Sequence, residues 1–164
     1  MIKYLASDDK DEYLDLLKDS LKMAPESYAD TYPSKYGDNH FDKIAESDIA
    51  EKFVLGFWED EELVGMIEFQ RGEFTKNKHS GIIKNLFVHP GYRKKGIGKS
   101  LLFECIKNAK VTSRIKLIYA GIIENSNSAH ELFEKVGFHE YGIKPRAFKN
   151  ETEYFTESLM YLEI

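Results

Sequence analysis

One cysteine, four prolines and one tryptophan stand among 164 residues, and these scarcities already exclude several kinds of protein. A lone Cys105 cannot build an internal disulfide framework, so a small secreted scaffold stapled by cystines is ruled out. No apolar run approaches the ~18 residues that cross a bilayer. The apolar stretch at residues 1–6, interrupted by Lys3, is too short for a secretory leader. Basic charge is also not in excess: the net charge of −5 argues against a general nucleic-acid surface. His40, His79, His89, His130 and His139 show no metal-ligand spacing, so no bound metal is expected. There is no internal repeat, low-complexity tract or interdomain linker. The expectation is one soluble, cytoplasmic domain over residues 1–164, with no membrane partner. Its 42% hydrophobic content suffices for a full core.

The apolar periodicities give an alternating order of elements. Residues 2–6 read as a short strand, and Ser7, Asp8 and Asp9 offer N-caps for a helix reaching about residue 23. Residues 24–50 carry Pro25, Pro33 and Gly37 with Tyr28, Tyr32 and Tyr36; periodicity is weak there, with room for short helices. Strands at 52–58 and 63–71 flank the acidic turn Glu59-Asp60-Glu61-Glu62, and a polar connection fills 72–80. A strand at 81–88, a helix at 96–110, a strand at 115–122, a helix at 127–136 and strands at 138–143 and 154–162 complete the chain. Cys105 falls on one helical face with Ile97, Leu101, Leu102, Ile106 and Ala109, which makes it a packing residue rather than a nucleophile. The last strand, with Tyr154, Phe155, Met160 and Tyr161, suits either the edge of a homodimer or a covered core strand.

What is abundant is local. Four cations, Arg93, Lys94, Lys95 and Lys99, lie within seven residues of an acidic chain, around Gly96 and Gly98. The segment stands between an apolar strand and the start of a helix. A helix start leaves its first amides unpaired and carries partial positive charge, so it suits a pyrophosphate. Two familiar phosphate motifs fail by one residue each. A P-loop needs glycine where Arg93 stands, and a dinucleotide fingerprint needs glycine where Leu101 stands.

The remaining pattern, Arg93-x-x-Gly96-x-Gly98, resembles the signature of the GNAT family of N-acetyltransferases at the strand-to-helix junction that binds coenzyme A. Leu86-Phe87-Val88-His89-Pro90-Gly91-Tyr92 resembles the family's strand into the cradle, with Pro90-Gly91 placed as the centre of a type II turn. Ala129-x-x-Leu132-Phe133-x-x-x-Gly137-Phe138 resembles its second helix, where Gly137 fits a helix C′ position. The likeness runs from about residue 63 to about residue 160, and the N-terminal third agrees only in outline. It implies a mixed α/β fold: a mostly antiparallel sheet of six or seven strands, flanked by helices, with one splayed parallel pair.

The resemblance also implies acetyl-CoA as acyl donor and a primary amine, on a small molecule or a peptide, as acceptor. Carried over by position, Leu86, Phe87, Val88, Arg93, Lys94, Lys95, Gly96, Ile97, Gly98, Lys99 and Ser100 would bind the cofactor, with Val88 offering its amide to the thioester oxygen. Asn125, Ser126 and Asn127 cluster where the family has an asparagine on the cofactor arm. Phe133 stands where many members have a proton-donating tyrosine, and a phenyl ring donates none. The strand before the cradle offers Lys84 and Asn85 where a glutamate is common. Glu68 is the nearest alternative base, if burial raises its pKa, and it could equally point to solvent. Two other readings stay open: a coenzyme A-binding module with little turnover, and a protein N-terminal acetyltransferase.

Overall fold

Among the described residues, seven strands hydrogen-bond into one sheet in the order β1-β2-β3-β4-β5-β7-β6. The structure is a computed structural model, and it describes residues 1–25 and 38–164. Tyr28, Tyr32 and Tyr36 lie outside the described residues. In chain order the elements are β1 (Ile2–Tyr4), α1 (Lys10–Met23), α2 (Asp38–Ala45), β2 (Lys52–Glu59), β3 (Glu62–Arg71), β4 (Ser80–Val88), α3 (Ile97–Val111), β5 (Leu117–Ile123), α4 (Asn127–Val136), β6 (His139–Lys149) and β7 (Tyr154–Glu163). Every neighbouring pair is antiparallel except β4 and β5. A parallel pair needs a long crossover, and α3 supplies it.

Strand alternation distributes side chains to two cores. Leu55, Ile67, Phe69, Ile83, Ile118, Ala120 and Met160 pack on one face, against Ile97, Leu101, Leu102, Cys105 and Phe133 of α3 and α4. On the other face Val54, Met66 and Phe87 meet Tyr13, Leu17, Phe41 and Ile44 of α1 and α2. Tyr13 stacks on Phe41 with ring centroids 4.5 Å apart. Buried on both sides, β3 reads as a nearly continuous apolar run, broken only by Gly65 and Glu68. Among the described residues no helix is long and apolar enough to cross a membrane.

Asp9, one of the expected N-cap candidates, takes the N-cap position of α1; Ser7–Asp9 form a 3-10 turn in which Asp9 accepts the Ala6 N–H at 2.8 Å. Two local features differ from the sequence reading. Pro90–Tyr92 is likewise a 3-10 turn and not a type II turn, which would need a positive φ at Gly91; among the described glycines only Gly96 and Gly137 have one. His89 favours this tighter turn by accepting the Gly91 N–H on Nδ1 at 3.3 Å. Finally, β6 continues to Lys149, past Pro145, with a register break between Lys144 and Phe148. As the edge strand it tolerates a proline, because one side of its ladder needs no donor.

Candidate active site

β4 and β5 pair from Ser80 with Leu117 to Ile83 with Ala120, then part, although β4 runs on to Val88 and β5 to Ile123. The cause lies on β4. Glu68 of β3 pairs with Lys84 and Met66 pairs with Phe87, so Asn85 and Leu86 together stand opposite Ile67 in a β-bulge. Asn85 takes φ 51°, a left-handed conformation that asparagine adopts more readily than most residues. The extra residue re-phases the strand. Before it, the Gly72 N–H bond to Ser80 O (2.9 Å) shows that even-numbered residues of β4 face β3; after it, the His89 N–H bond to Val64 O (2.9 Å) gives that role to odd-numbered ones. Leu86 and Val88 therefore turn their backbone groups toward β5, into the gap.

The gap opens into a cleft of about 670 Å³, within the size range of small-molecule sites. One end is the start of α3. Gly96 is its N-cap at φ 80°, and the first intrahelical bond runs from Ser100 N–H to Gly96 O at 3.0 Å. The amides of Ile97, Gly98 and Lys99 precede that bond, no side chain caps them, and all three residues line the cleft. A Cβ on Gly96 would meet nothing within 4 Å, so this corner is open to a group as bulky as a phosphate. Arg93 and Lys94 also line the cleft; the Arg93 Nε donates to Val88 O at 2.8 Å, tying the cation to the strand end.

Lys95 and Ser100 are not among the residues lining the cleft. Lys95 turns the other way and pairs with Glu59 at 3.1 Å, while Tyr92 donates to Glu62 at 2.9 Å. The acidic β2–β3 hairpin thus holds the outer side of the loop whose inner side forms the cradle. At the start of α4, Asn125 and Ser126 reach the cleft and Asn127 does not; Ser126 takes the N-cap position. Phe133 lines the cleft and is 4% exposed, packed edge-on against Phe138 at 4.9 Å. It offers contact area and no proton.

Glu68 is 1% exposed and points toward α1 and α2, not to solvent. It is not part of the cleft wall, but Asn85, which is, donates to its Oε2 at 2.8 Å. His40 Nε2 stands 3.5 Å from the same oxygen, an ionic contact at the limit of hydrogen bonding. Burial alone would push this carboxyl up. The His40 contact, with the charges of His40, Lys84 and Lys52, outweighs burial and holds it below the ordinary carboxylate value, opposite to the sequence expectation.

Elsewhere, Ser158, His130 and Glu140 bring together the residue types of a hydrolytic triad. The Ser158 hydroxyl, however, donates to Glu140 at 2.6 Å and is 1% exposed, so it cannot act as a nucleophile on an external substrate. Cys105 is fully buried, which pushes its thiol up.

The sequence pattern of the Acetyltransferase (GNAT) family matches residues 15–138. The chain belongs to this family. Acetyl-CoA is the family's acyl donor. Among solved structures, it is similar to the GNAT-family acetyltransferase from Streptococcus pneumoniae (20% identity, TM-score 0.85, covering 100% of this chain and 99% of that one). It is also similar to the ribosomal-protein-alanine N-acetyltransferase from Brucella melitensis (19%, TM-score 0.87, 100% and 99%). A third is yncA from Salmonella typhimurium, solved with its cofactor acetyl-CoA (17%, TM-score 0.85, 99% and 92%). At such identities the likeness is one of fold. Over 97 residues, 59% of its length, the chain is 29% identical to the UPF0157 protein YqkA of Bacillus subtilis, and it spans about a quarter (26%) of that relative.

Proposed function

We propose that the chain is an N-acetyltransferase that moves the acetyl group of acetyl-CoA to a primary amine. The observation that carries this reading is the junction of two features in one cleft: the uncapped start of α3 and the gap made by the β4 bulge. The residues present fit the donor. Amides of Ile97, Gly98 and Lys99, with Arg93, Lys94 and Lys99, suit the pyrophosphate, while Asn125, Ser126, Leu132 and Phe133 suit the arm.

Acetyl-CoA supplies an activated acetyl thioester when bound. Val88 stands nearer the cradle than Leu86, because β4 extends from the cradle back to its pairing with β5 at Ile83. Val88 would hold the arm or the carbonyl, and the Leu86 amide lies deeper. Whichever amide meets the thioester oxygen stabilises the charge that develops there as the amine nitrogen bonds the carbonyl carbon and the C–S bond breaks. Phe133 gives the departing sulfur no proton, so water supplies it or the thiolate leaves as such. Glu68, set behind the wall and held ionised, positions Asn85 at the bulge instead of taking the amine's proton.

Release of free thiol from acetyl-CoA over a panel of monoamines, polyamines, amino acids and peptides tests the proposal. Amine-dependent release supports it. Tight coenzyme A binding with no release for any acceptor would favour the binding-module reading, to which the missing Phe133 hydroxyl lends weight. Release with peptides alone would make this a protein acetyltransferase.

A further inference from the structure

Gly121 is the first residue of β5 beyond its last pairing with β4, and it lines the cleft. Ile118, Ala120 and Ile122 point into the core beneath α3 and α4, so Tyr119 and Gly121 face the opposite side of the sheet. A Cβ on Gly121 would collide with the Glu157 carboxylate. The glycine thus lets an acidic group from β7 lie directly on the β5 backbone where the gap begins, on the sheet face behind the cleft wall, which itself includes none of Glu157, Tyr119 and Tyr141. Glu157 is half-buried, and among the described residues no hydrogen bond or ion pair engages its carboxylate. Lys144 stands opposite it on β6, yet its ammonium leans away over the Phe148 ring, 5.9 Å from the centroid.

The surroundings are aromatic. Tyr141 meets Tyr119 and Tyr161 edge-on, each at 5.8 Å between centroids. By alternation these rings share the face of Glu157. The buried cluster beneath α1 and α2 takes none of its members from β5, β6 or β7, and Tyr141 remains 54% exposed. The Tyr141 phenol is pushed up by burial first, then by Tyr119 and by the charge of Glu157, which places that charge within reach of the ring.

We propose that Glu157 anchors a positively charged nitrogen of the acceptor, with Tyr119 and Tyr141 as its aromatic wall, so that the preferred substrates are diamines or polyamines. This rests on the acetyltransferase reading. A carboxylate stabilises the protonated form of an amine beside it, and only a neutral amine attacks. Glu157 is therefore suited to hold the nitrogen that does not react, leaving a second amino group free to enter the gap. Aromatic rings add attraction for the cation without competing for a proton.

The test compares kcat and KM for butylamine, 1,4-diaminobutane and spermidine, using wild type, Glu157→Gln and Gly121→Ala. Wild type should favour the di- and polyamine over the monoamine at least ten-fold in kcat/KM. Glu157→Gln should erase most of that preference through KM, with coenzyme A affinity and melting temperature unchanged. Gly121→Ala should weaken the same preference by displacing the carboxylate. If wild type acetylates all three amines equally, or Glu157→Gln keeps the preference, the anchor falls and the acetyltransferase reading stands. If wild type acetylates none of the three but does acetylate amino acids or peptides, the anchor falls and the acetyltransferase reading stands; if it acetylates nothing on that wider panel either, that reading falls. Calorimetric titration of spermidine then decides the anchor alone: binding lost in Glu157→Gln supports it, and no binding to wild type overturns it.

Discussion

Lys95 shows how far a residue's neighbours in sequence can mislead. It sits inside the basic run, but Glu59, 36 residues earlier, takes its ammonium away from the cleft. Lys95→Ala should therefore change coenzyme A affinity less than two-fold, whereas Lys99→Ala should weaken it up to several-fold, at about 0.2–1 kcal/mol for an exposed ion pair; calorimetry on both variants checks the contrast. The glycines were legible because their task is local: Gly137 takes the positive φ expected past a helix stop, and Gly96 leaves the start of α3 free of a Cβ. At Gly98 an added Cβ would only touch Leu132 and Val88, at 3.5 and 3.7 Å. Gly98→Leu should thus abolish coenzyme A binding by filling the cradle while the domain still melts within a few degrees of wild type. Gly121 left a fainter signal: a glycine within a strand marks a close approach, but nothing in sequence names Glu157 as the visitor.

Elements were easier to read than the way they join. Most strands and helices announced themselves by period, and α4 has the bounds expected for it, whereas α2 lies in the stretch of weak periodicity that allowed only for short helices. The bulge in β4 could not be read, since it exists only in the register between β4 and β3; the polar pair Lys84-Asn85 inside the strand was its one local sign. Glu68 ties the two strands together there, and its folded pKa lies below the unfolded value. The sign follows: the folded state favours the ionised carboxylate, so this stabilisation is complete above the unfolded pKa of ~4.3 and is lost as pH falls through the folded value. Glu68→Gln should cost about 1–3 kcal/mol at pH 7. Thermal melts from pH 7 to pH 3 should show the gap between wild type and variant narrowing as the medium becomes acidic. A constant gap would mean that the charge contributes nothing.

Across the whole molecule, the sheet order and the sides covered by each helix pair determine what the cleft can admit. In the reading proposed above, donor and acceptor would reach one gap from opposite faces of the sheet, an arrangement that depends on long-range pairing and that composition does not reveal. A donor that binds only the folded chain raises its melting point. Coenzyme A at ~100 times its dissociation constant should add about 2.7 kcal/mol, or roughly 5–11 °C for a chain of this size, readable by calorimetry. The out-of-phase half of β4 leaves a further mark. Its Leu86 and Val88 amides lack a strand partner although they lie in the middle of the sheet, so in heavy water they should take up deuterium well before their neighbours Phe87 and His89, and slow down once the donor is added. An isotope pattern alternating residue by residue along a single strand would be the imprint of one inserted asparagine.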